Sequence, residues 1–407
     1  MLIFGVILFA LGITVSIALH EAGHMWTARA LGMKVRRYYI GFGPKIFSFR
    51  RGETEYGLKA IPAGGFCDIA GMTQHDELAP DEVDRAMYKQ KTWKRLVVMS
   101  GGIVMNFVLG IVLVFVLAMG WGLPNPETRA VVNGLVCVAP SQSAGPDYAL
   151  AACTGAGPAQ TAGIREGDVI VAVNGKSTDT FSDVVKATQP LTGTAEYTVE
   201  RDGQRLVIPV QVTQAQRYVN NPANTDSESL PPVSKDVGAI GIAAPPALVQ
   251  YSALGAVPAT FSFTGDIFGR SVQGLVQMPG KVVDLWHSVT GGERGLDTPV
   301  SVVGASVIGG QAAEHSNWET FILLLATLNF FLGIFNLLPL LPLDGGHMAV
   351  ALYEKIRNVI RGRRGLPVGA PVDYAKLMPL TYVVIVIGGA YMLLTLTADI
   401  VNPIKIF

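Results

Sequence analysis

A pair of histidines at the end of an apolar segment constrains this chain more than any other feature. His20 and His24 are four residues apart, so in a helix both imidazoles lie on one face and can reach one metal ion. Glu21 lies beside them, where a carboxylate can take a proton from water. Residues 2–19 are apolar except for two hydroxyl side chains, which is typical of a membrane span. The pattern therefore predicts a metal site inside the membrane or at its edge, where ionisable groups are costly and mark function.

The composition indicates an integral membrane protein with a soluble part. Half of the 407 residues are hydrophobic, only 15% are charged, and the formal net charge is zero. A neutral chain lacks the positive field that attracts nucleic acid, so we expect no nucleic acid partner. The first apolar segment has no basic leading region and no small-residue cleavage site before His20. We interpret it as a retained span rather than a signal peptide.

A β-hairpin is predicted in the basic segment that follows the first span. Residues 45–50 and 55–61 alternate roughly with a period of two around the turn sequence Arg-Gly-Glu-Thr at 51–54. An ordinary cytosolic loop remains the alternative, because periodicity alone does not exclude it.

The second apolar segment, residues 96–123, carries small residues and one buried amide near its start. Ser100, Gly101 and Gly102 indicate close contact with another helix. The amide of Asn106 needs a partner in the membrane. That partner is either a neighbouring helix or, if Asn106 lies near the metal, the backbone of a substrate, and the sequence leaves both open.

The third apolar segment begins at Trp318 and ends in the run Leu-Pro-Leu-Leu-Pro-Leu-Asp-Gly-Gly-His at 338–347. Its prolines break the helix, and broken backbone at membrane depth is tolerated only where it lines a cavity enclosed by protein. Asp344 is therefore a second costly ionisable group, and we expect it to be functional.

The distribution of basic residues brings these groups to one side of the membrane. Residues 34–95 contain twelve Lys and Arg, and residues 345–376 contain six. The positive-inside rule places both loops in the cytosol. His20, His24 and Asp344 then all lie near cytosolic span ends, and two histidines with one carboxylate are a ligand set of catalytic zinc sites.

The stretch between the second and third spans is soluble in character. Residues 162–175 contain an apolar strand between two turns, residues 181–188 indicate a short helix, and two strands follow. The run Gly-Asp-Val-Ile-Val-Ala-Val-Asn-Gly resembles a PDZ domain. Its peptide-binding loop is expected near residues 132–138, although that part departs from the usual glycine-rich pattern.

The three cysteines fit the same topology. Cys137 and Cys153 lie in the external module and are candidates for a disulfide, with unrelated buried thiols as the alternative. Cys67 lies on the reducing side and is expected to stay free.

Four motifs together resemble the site-2 protease family of intramembrane zinc metalloproteases. They are His-Glu-x-x-His in the first span, Gly-x-Gly-Pro after it, Gly-x-x-x-Asn-Phe in the second, and Asn-x-x-Pro-x-x-x-Leu-Asp-Gly-Gly-His at the end of the third. With one PDZ-like insert, the chain is similar to the bacterial regulators of this family. The resemblance implies an enzyme of the bacterial cytoplasmic membrane that makes the second cut in regulated intramembrane proteolysis. Its substrates would be single-span membrane proteins such as anti-sigma factors.

The resemblance also implies residue roles. His20, His24 and Asp344 would bind Zn²⁺, Glu21 would be the catalytic base, and two amides would bind substrate, namely Asn106 and Asn336. The hairpin around Arg50 would dip into the membrane and pair with an unwinding substrate strand.

The expected fold is a polytopic α-helical membrane protein of about four spans, with an inserted extracytoplasmic α/β PDZ-like domain and a membrane-associated β-hairpin. The predicted segments are the first span (1–33), the hairpin loop (34–95), the second span (96–123), the PDZ-like domain (124–217), a linker with a membrane-associating segment (218–317), the third span (318–347), a cytosolic loop (348–376), and the fourth span with its tail (377–407). No function is predicted from the pattern of residues 239–310.

Two other functions remain open from the sequence. A membrane metal-binding or transport protein would need a second polar cluster along the spans. A non-catalytic scaffold that recruits partners through the PDZ-like unit would not need Glu21.

Overall fold

The computed structural model of the protein describes residues 1–127, 129–145, 148–219 and 232–404. The first part of the chain forms a long helix, a β-hairpin and a second long helix, in that order. In chain order these elements are α1 (Leu2–Ala30), β1 (Val35–Arg51), β2 (Thr54–Ile69) and α2 (Thr92–Gly120).

The hairpin exists, and it is longer than the alternating pattern indicated. Its turn lies at Gly52, which has a positive φ of 64°, and Arg51 pairs with Thr54. The register between β1 and β2 shifts repeatedly from Val35 to Phe47. Bulges of this kind break the two-residue alternation, which is why the sequence indicated only the regular part near the turn.

Residues Gly122–Gln250 form a compact unit of their own. Its elements are β3 (Leu123–Pro124), β4 (Gly134–Leu135), α3 (Pro158–Ala162), β5 (Val169–Val173), β6 (Lys176–Ser177), α4 (Phe181–Thr188), β7 (Gly193–Arg201), β8 (Gln204–Val219), β9 (Val233–Ala239), β10 (Ile242–Ala243) and β11 (Leu248–Val249). A five-stranded sheet has the order β6-β5-β7-β8-β9. Tyr197, Ile170 and Val184 are buried in the core beneath it. Helix α4 covers the residues for which the sequence indicates a helix.

Residues 132–138 are not a free peptide-binding edge. Leu135 in β4 pairs with Ile242 in β10. On the other side, the amide of Val132 donates to the carbonyl of Asp168 over 2.8 Å. The chain itself therefore pairs with one edge of residues 133–136 and, at Val132, with the other edge, so only part of the expected loop could receive an added strand.

Two further expectations concern this unit. The structure joins Cys137 and Cys153 in a disulfide, with a Cα–Cα distance of 5.9 Å, and Cys67 is free. At the start of the predicted linker segment 218–317, Tyr218 and Val219 end strand β8, and residues 220–231 lie outside the described residues.

The chain after residue 251 is mainly helical. Its helices are α5 (Ala253–Gln277), α6 (Val282–Val289), α7 (Val302–Glu314), α8 (Trp318–Asn336), α9 (Asp344–Arg363) and α10 (Met378–Val401). The helices α5 to α7 lie largely in the stretch for which the sequence predicted no function. Pro258, Asp266 and Arg270 interrupt the apolar pattern of α5, so hydropathy alone did not indicate it.

Four helices among the described residues are long and apolar enough to cross a membrane. They are α1, α2, α8 and the helix Tyr374–Val401, which contains α10. The expectation of a polytopic membrane protein with about four spans is therefore confirmed.

The first two spans approach each other at glycines. A Cβ added at Gly101 would lie 2.6 Å from the carbonyl oxygen of Gly23, so the two backbones are in direct contact there. Small residues permit such close crossings in membranes. Because Gly23 adjoins His24, this contact brings α2 against the metal-binding motif.

Candidate metal centre

Three potential metal ligands meet where α1 and α9 come together. The Nε2 atoms of His20 and His24 are 3.2 Å apart, and they lie 3.2 and 3.3 Å from Oδ2 of Asp344. Asp344 Oδ2 is buried and has no hydrogen-bond partner among the described residues. Two imidazole nitrogens and one carboxylate oxygen therefore point at a common position, and that oxygen is otherwise unpaired. A bound cation fits this position, and the donor set is that of a catalytic zinc site.

The second ring nitrogen of His24 is held by the backbone of α2. Nδ1 of His24 lies 2.8 Å from the carbonyl oxygen of Val98. A carbonyl oxygen only accepts, so Nδ1 carries the proton and Nε2 is left with its lone pair. Hydrogen bonds of this kind fix the orientation of metal-binding histidines.

Asn106 holds His20 in the corresponding way. Its side-chain amide is 1% exposed and lies 3.2 Å from Nδ1 of His20. The other polar atom of that amide, Oδ1, has no hydrogen-bond partner among the residues that the structure describes. A half-turn of the amide lets Oδ1 accept the proton of Nδ1, which satisfies the oxygen and frees Nε2 of His20 for a metal.

Asp344 is presented by a sharp return of the chain after the third span. Helix α8 ends at Asn336, and α9 starts at Asp344. A Cβ at Gly345 would collide with the carbonyl oxygens of Leu337 and Leu338, so only glycine allows this return.

A buried ion pair fixes α9 against α2. Arg95 Nη1 donates to Glu354 Oε2 over 2.5 Å, and both side chains are buried. The amide of Val372 donates to the other oxygen of Glu354 over 2.7 Å. Since α9 begins with Asp344, this pair holds the third ligand relative to the second span.

Gly102 provides the space in which the ligands meet, and the sequence indicated it only as a packing residue. A Cβ at Gly102 would collide with Nε2 of His24 and would lie 2.7 Å from Nε2 of His20. The glycine pair Gly101-Gly102 indicated close packing of the second span, but the sequence does not show which of the two glycines faces the imidazoles.

Glu21 lies between the metal ligands and the hairpin. Its Cγ would be 3.2 Å from a Cβ at Gly65 in β2, and the backbone of Cys67 lies near its carboxylate. Burial and then the charge of Glu21 raise the pKa of the Cys67 thiol, so this thiol stays neutral beside the carboxylate.

The hairpin is anchored to α1 and exposes apolar side chains elsewhere. The Tyr38 hydroxyl donates to the carbonyl oxygen of Ala18 over 2.6 Å, less than one turn before His20. Large apolar side chains of both strands are exposed, namely Phe42, Ile46, Phe47, Phe49, Leu58 and Ile61.

Asn336 differs from the other site residues predicted from the sequence. It is the last residue of α8, and its side chain makes no hydrogen bond within the described ranges. The structure therefore joins His20, His24, Asp344 and Asn106 by contacts of their side chains, but not Asn336.

Comparisons with known proteins agree with this geometry. Residues 8–380 match peptidase family M50. The chain is 52% identical to the zinc metalloprotease Rip1 of Mycobacterium bovis, over the full length of both proteins. It is 51% identical to Rip1 of Mycolicibacterium smegmatis, over 99% of this chain and 98% of the relative. A putative zinc metalloprotease of Mesorhizobium japonicum is 29% identical over 87% of this chain and 89% of its own length.

Proposed function

This chain belongs to peptidase family M50, the site-2 proteases, and we propose that it cleaves peptide bonds within the membrane spans of single-span proteins. It is a multi-pass zinc metalloprotease with Zn²⁺ as its cofactor. The observation that carries the proposal is the convergence of three ligand atoms at the meeting point of α1 and α9, beside a hairpin.

In this proposal His20, His24 and Asp344 hold the zinc ion. When bound, zinc supplies Lewis-acid chemistry, which polarises a carbonyl group and acidifies water. The contacts to Val98 and Asn106 keep both Nε2 atoms free of protons and directed at the ion. Asn106 thus acts as a positioning residue through His20.

Glu21 is the proposed catalytic base. It receives a proton from the attacking water and later delivers it to the nitrogen of the leaving amine. Its carboxylate lies between the proposed ligands and β2, near the backbone of Cys67. Asn336, whose amide makes no hydrogen bond within the described ranges, is the residue we propose to bind a substrate backbone.

A helical substrate must unwind before it can be cut, because its peptide groups are paired within the helix. In a membrane, unwound backbone needs replacement hydrogen bonds. Since β2 contacts Glu21 at Gly65, an edge of the hairpin is suited to receive the unwound segment as an added strand. Its exposed apolar side chains support the proposal that the hairpin dips into the membrane.

The substrates that we propose are anti-sigma factors, cut after a first protease has removed their external domain. We place the enzyme in the bacterial cytoplasmic membrane with the Gly122–Gln250 unit outside, because both basic loops are expected in the cytosol. In this position the unit would exclude substrates that still carry a bulky external domain, a role that rests on analogy with the family.

The test compares membrane proteins from cells that carry the wild type, Glu21→Ala or Glu77→Ala. Glu77 is an exposed carboxylate and serves as the control. We expect single-span stubs without external domains to accumulate only in Glu21→Ala. The same fragments in all three strains, with zinc bound in each protein, would contradict the proposal and favour a transport or scaffold function.

The transport alternative has little support within the described part of the chain. There, His20, His24 and Asp344 are the one group of three or more His, Cys, Asp or Glu side chains that could share an ion. A conduction path needs further polar groups along the spans.

A further inference from the structure

A cavity lies at the end of the first span, beyond the proposed metal ligands. It has a volume of about 730 Å³ and lies between the last turns of α1, the turn of the hairpin and the loop before α2. Trp26 and Arg29 come from α1, and Arg51 and Tyr56 come from the hairpin. Arg85 closes the cavity from the loop.

The cavity carries an excess of positive charge. Three guanidinium groups line it, from Arg29, Arg51 and Arg85, against the single carboxylate of Glu53. Arg85 forms an ion pair with this carboxylate, because it donates to both oxygens of Glu53 over 2.7 Å. Within the described part of the chain, the other two cations have no carboxylate partner, and an anion would be attracted to this position.

The two remaining guanidinium groups differ in how firmly they are held. Arg29 donates to the Thr54 hydroxyl over 2.6 Å and lies 5.5 Å from the centre of the Tyr56 ring. Arg51 is exposed, and its guanidinium group makes no hydrogen bond or ion pair with any described residue. A bound anion would therefore meet one positioned cation and one that is free to close over it.

The rest of the cavity is suited to the membrane surface. Trp26 is 51% exposed and Phe49 is 50% exposed, although both are large apolar rings. Arg29 is the penultimate residue of the spanning helix α1. Aromatic rings and cationic side chains at the end of a span are typical of the headgroup layer.

We propose that this cavity binds the phosphate headgroup of an anionic membrane lipid. Arg29 and Arg51 contact the phosphate, and an acyl chain lies along Trp26 and Phe49. The lipid joins the hairpin turn to the end of α1. Because Gly65 of the same hairpin contacts Glu21, the lipid stabilises the hairpin in the position beside the base.

The test uses the full-length protein in nanodiscs and the fluorescence of Trp26. Brominated phosphatidylglycerol is titrated into phosphatidylcholine discs, and brominated phosphatidylcholine is the reference lipid. We expect quenching to saturate at a low fraction of phosphatidylglycerol, and we expect this saturable component to disappear in Trp26→Phe.

Two arginines provide a matched pair of variants. Arg50 and Arg51 are neighbours in β1, but only Arg51 lines the cavity. Arg51→Gln removes a charge-assisted hydrogen bond and should raise the phosphatidylglycerol fraction at half-maximal quenching about tenfold. Arg50→Gln removes the same charge and should leave that fraction unchanged.

Other outcomes would overturn the proposal. Equal effects of Arg50→Gln and Arg51→Gln would show nonspecific attraction to the membrane surface. Equal quenching by the two lipids, or saturable quenching that survives in Trp26→Phe, would exclude a lipid site in this cavity. Inorganic phosphate that displaces the lipid completely at modest concentration would identify a site for a free anion. None of these measurements depends on proteolysis, so failure here leaves the proposed function untouched.

Discussion

Asp344 and Glu21 are both carboxylates within reach of the same histidines, yet their surroundings separate their roles. Oδ2 of Asp344 points between the two Nε2 atoms and has no hydrogen-bond partner among the described residues. Glu21 instead lies against the hairpin, close to Gly65 and to the backbone of Cys67. The first arrangement suits a metal ligand, and the second suits a proton carrier.

Substitution of each carboxylate should therefore have a different result. Asp344→Ala removes one of three ligand atoms, and we expect bound zinc to be lost on dialysis against a weak chelator. Glu21→Ala should keep its zinc and lose turnover. Metal content is measured by plasma mass spectrometry and turnover by cleavage of a reconstituted substrate. Equal metal content in the wild type and Asp344→Ala would contradict the assignment of the third ligand.

Gly102 sets a steric limit on the same centre. A methyl group at this position would collide with Nε2 of His24, so we expect Gly102→Ala to lower zinc affinity at least about tenfold, as loss of ligand geometry does in other metal sites. Gly120→Ala, at the far end of the same helix, meets no atom within 4 Å and is the control. Competition with a fluorescent chelator measures the affinity. A similar loss of zinc affinity in Gly102→Ala and Gly120→Ala would mean that the loss comes from reduced backbone flexibility and not from a collision with His24.

At the scale of elements, the ion pair of Arg95 and Glu354 links α2 to the helix that carries Asp344. Removal of one partner from a buried pair leaves an uncompensated charge and typically costs about 3–5 kcal/mol. We expect Glu354→Gln to lower the thermal unfolding temperature and the zinc affinity together, because α9 loosens. Glu53→Gln breaks an exposed pair with Arg85, and its stability cost should stay within about 1 kcal/mol. Unchanged unfolding of Glu354→Gln would contradict this role.

The soluble unit contains a carboxylate whose ionisation should determine its acid stability. Asp168 is 1% exposed; burial opposes its ionisation, but hydrogen bonds from Arg201 and from the Arg165 amide outweigh this and hold its pKa below the usual value. The stabilisation is complete above the unfolded-state pKa of about 4 and is lost as the pH falls below it.

Digestion by pepsin at decreasing pH measures this effect in the full-length protein. We expect the wild-type unit to become susceptible as the pH falls below about 4, because the unfolded state then binds a proton that the folded state resists. Asp168→Asn should be susceptible already at higher pH and should show a weaker dependence on pH. Asp179→Asn changes an exposed carboxylate and should behave as the wild type. Identical profiles for all three proteins would exclude Asp168 as the titrating group.

The elements also show which parts of the site could be predicted from the sequence. The spacing of His20 and His24 is local, and the membrane setting follows from composition. Asp344 was predicted because its charge is costly after an apolar run and because basic loops bring span ends to one side. The contacts of Gly102 and Val98 depend on where two helices cross, and periodicity carries no information about that crossing. Helix α5 was missed because polar residues and a proline interrupt its apolar pattern.

At the scale of the whole molecule, the chain consists of two units, and the second is inserted into the sequence of the first. The first unit contains Met1–Trp121 and Tyr251–Phe407, and the second contains Gly122–Gln250. The ends of the second unit are adjacent, because Leu123 in β3 pairs with Val249 in β11. Because the two ends of the insertion are adjacent, a short linker can replace it without moving the flanking segments of the first unit.

Replacement of residues 123–249 by a short flexible linker tests the proposed exclusion of uncut substrates. Because the proposed ligands His20, His24 and Asp344 all belong to the first unit, the shortened protein should keep its zinc. We expect it to cleave both intact substrates and substrates that have lost their external domain, whereas the wild type cleaves only the latter. Zinc content and cleavage of the pre-cut substrate show that the spans are still folded. If the shortened protein is folded in this sense and intact substrates still resist cleavage, the second unit does not select substrates. Selection would then lie in the membrane spans, where a bulky external domain could hinder the proposed unwinding of the substrate onto the hairpin.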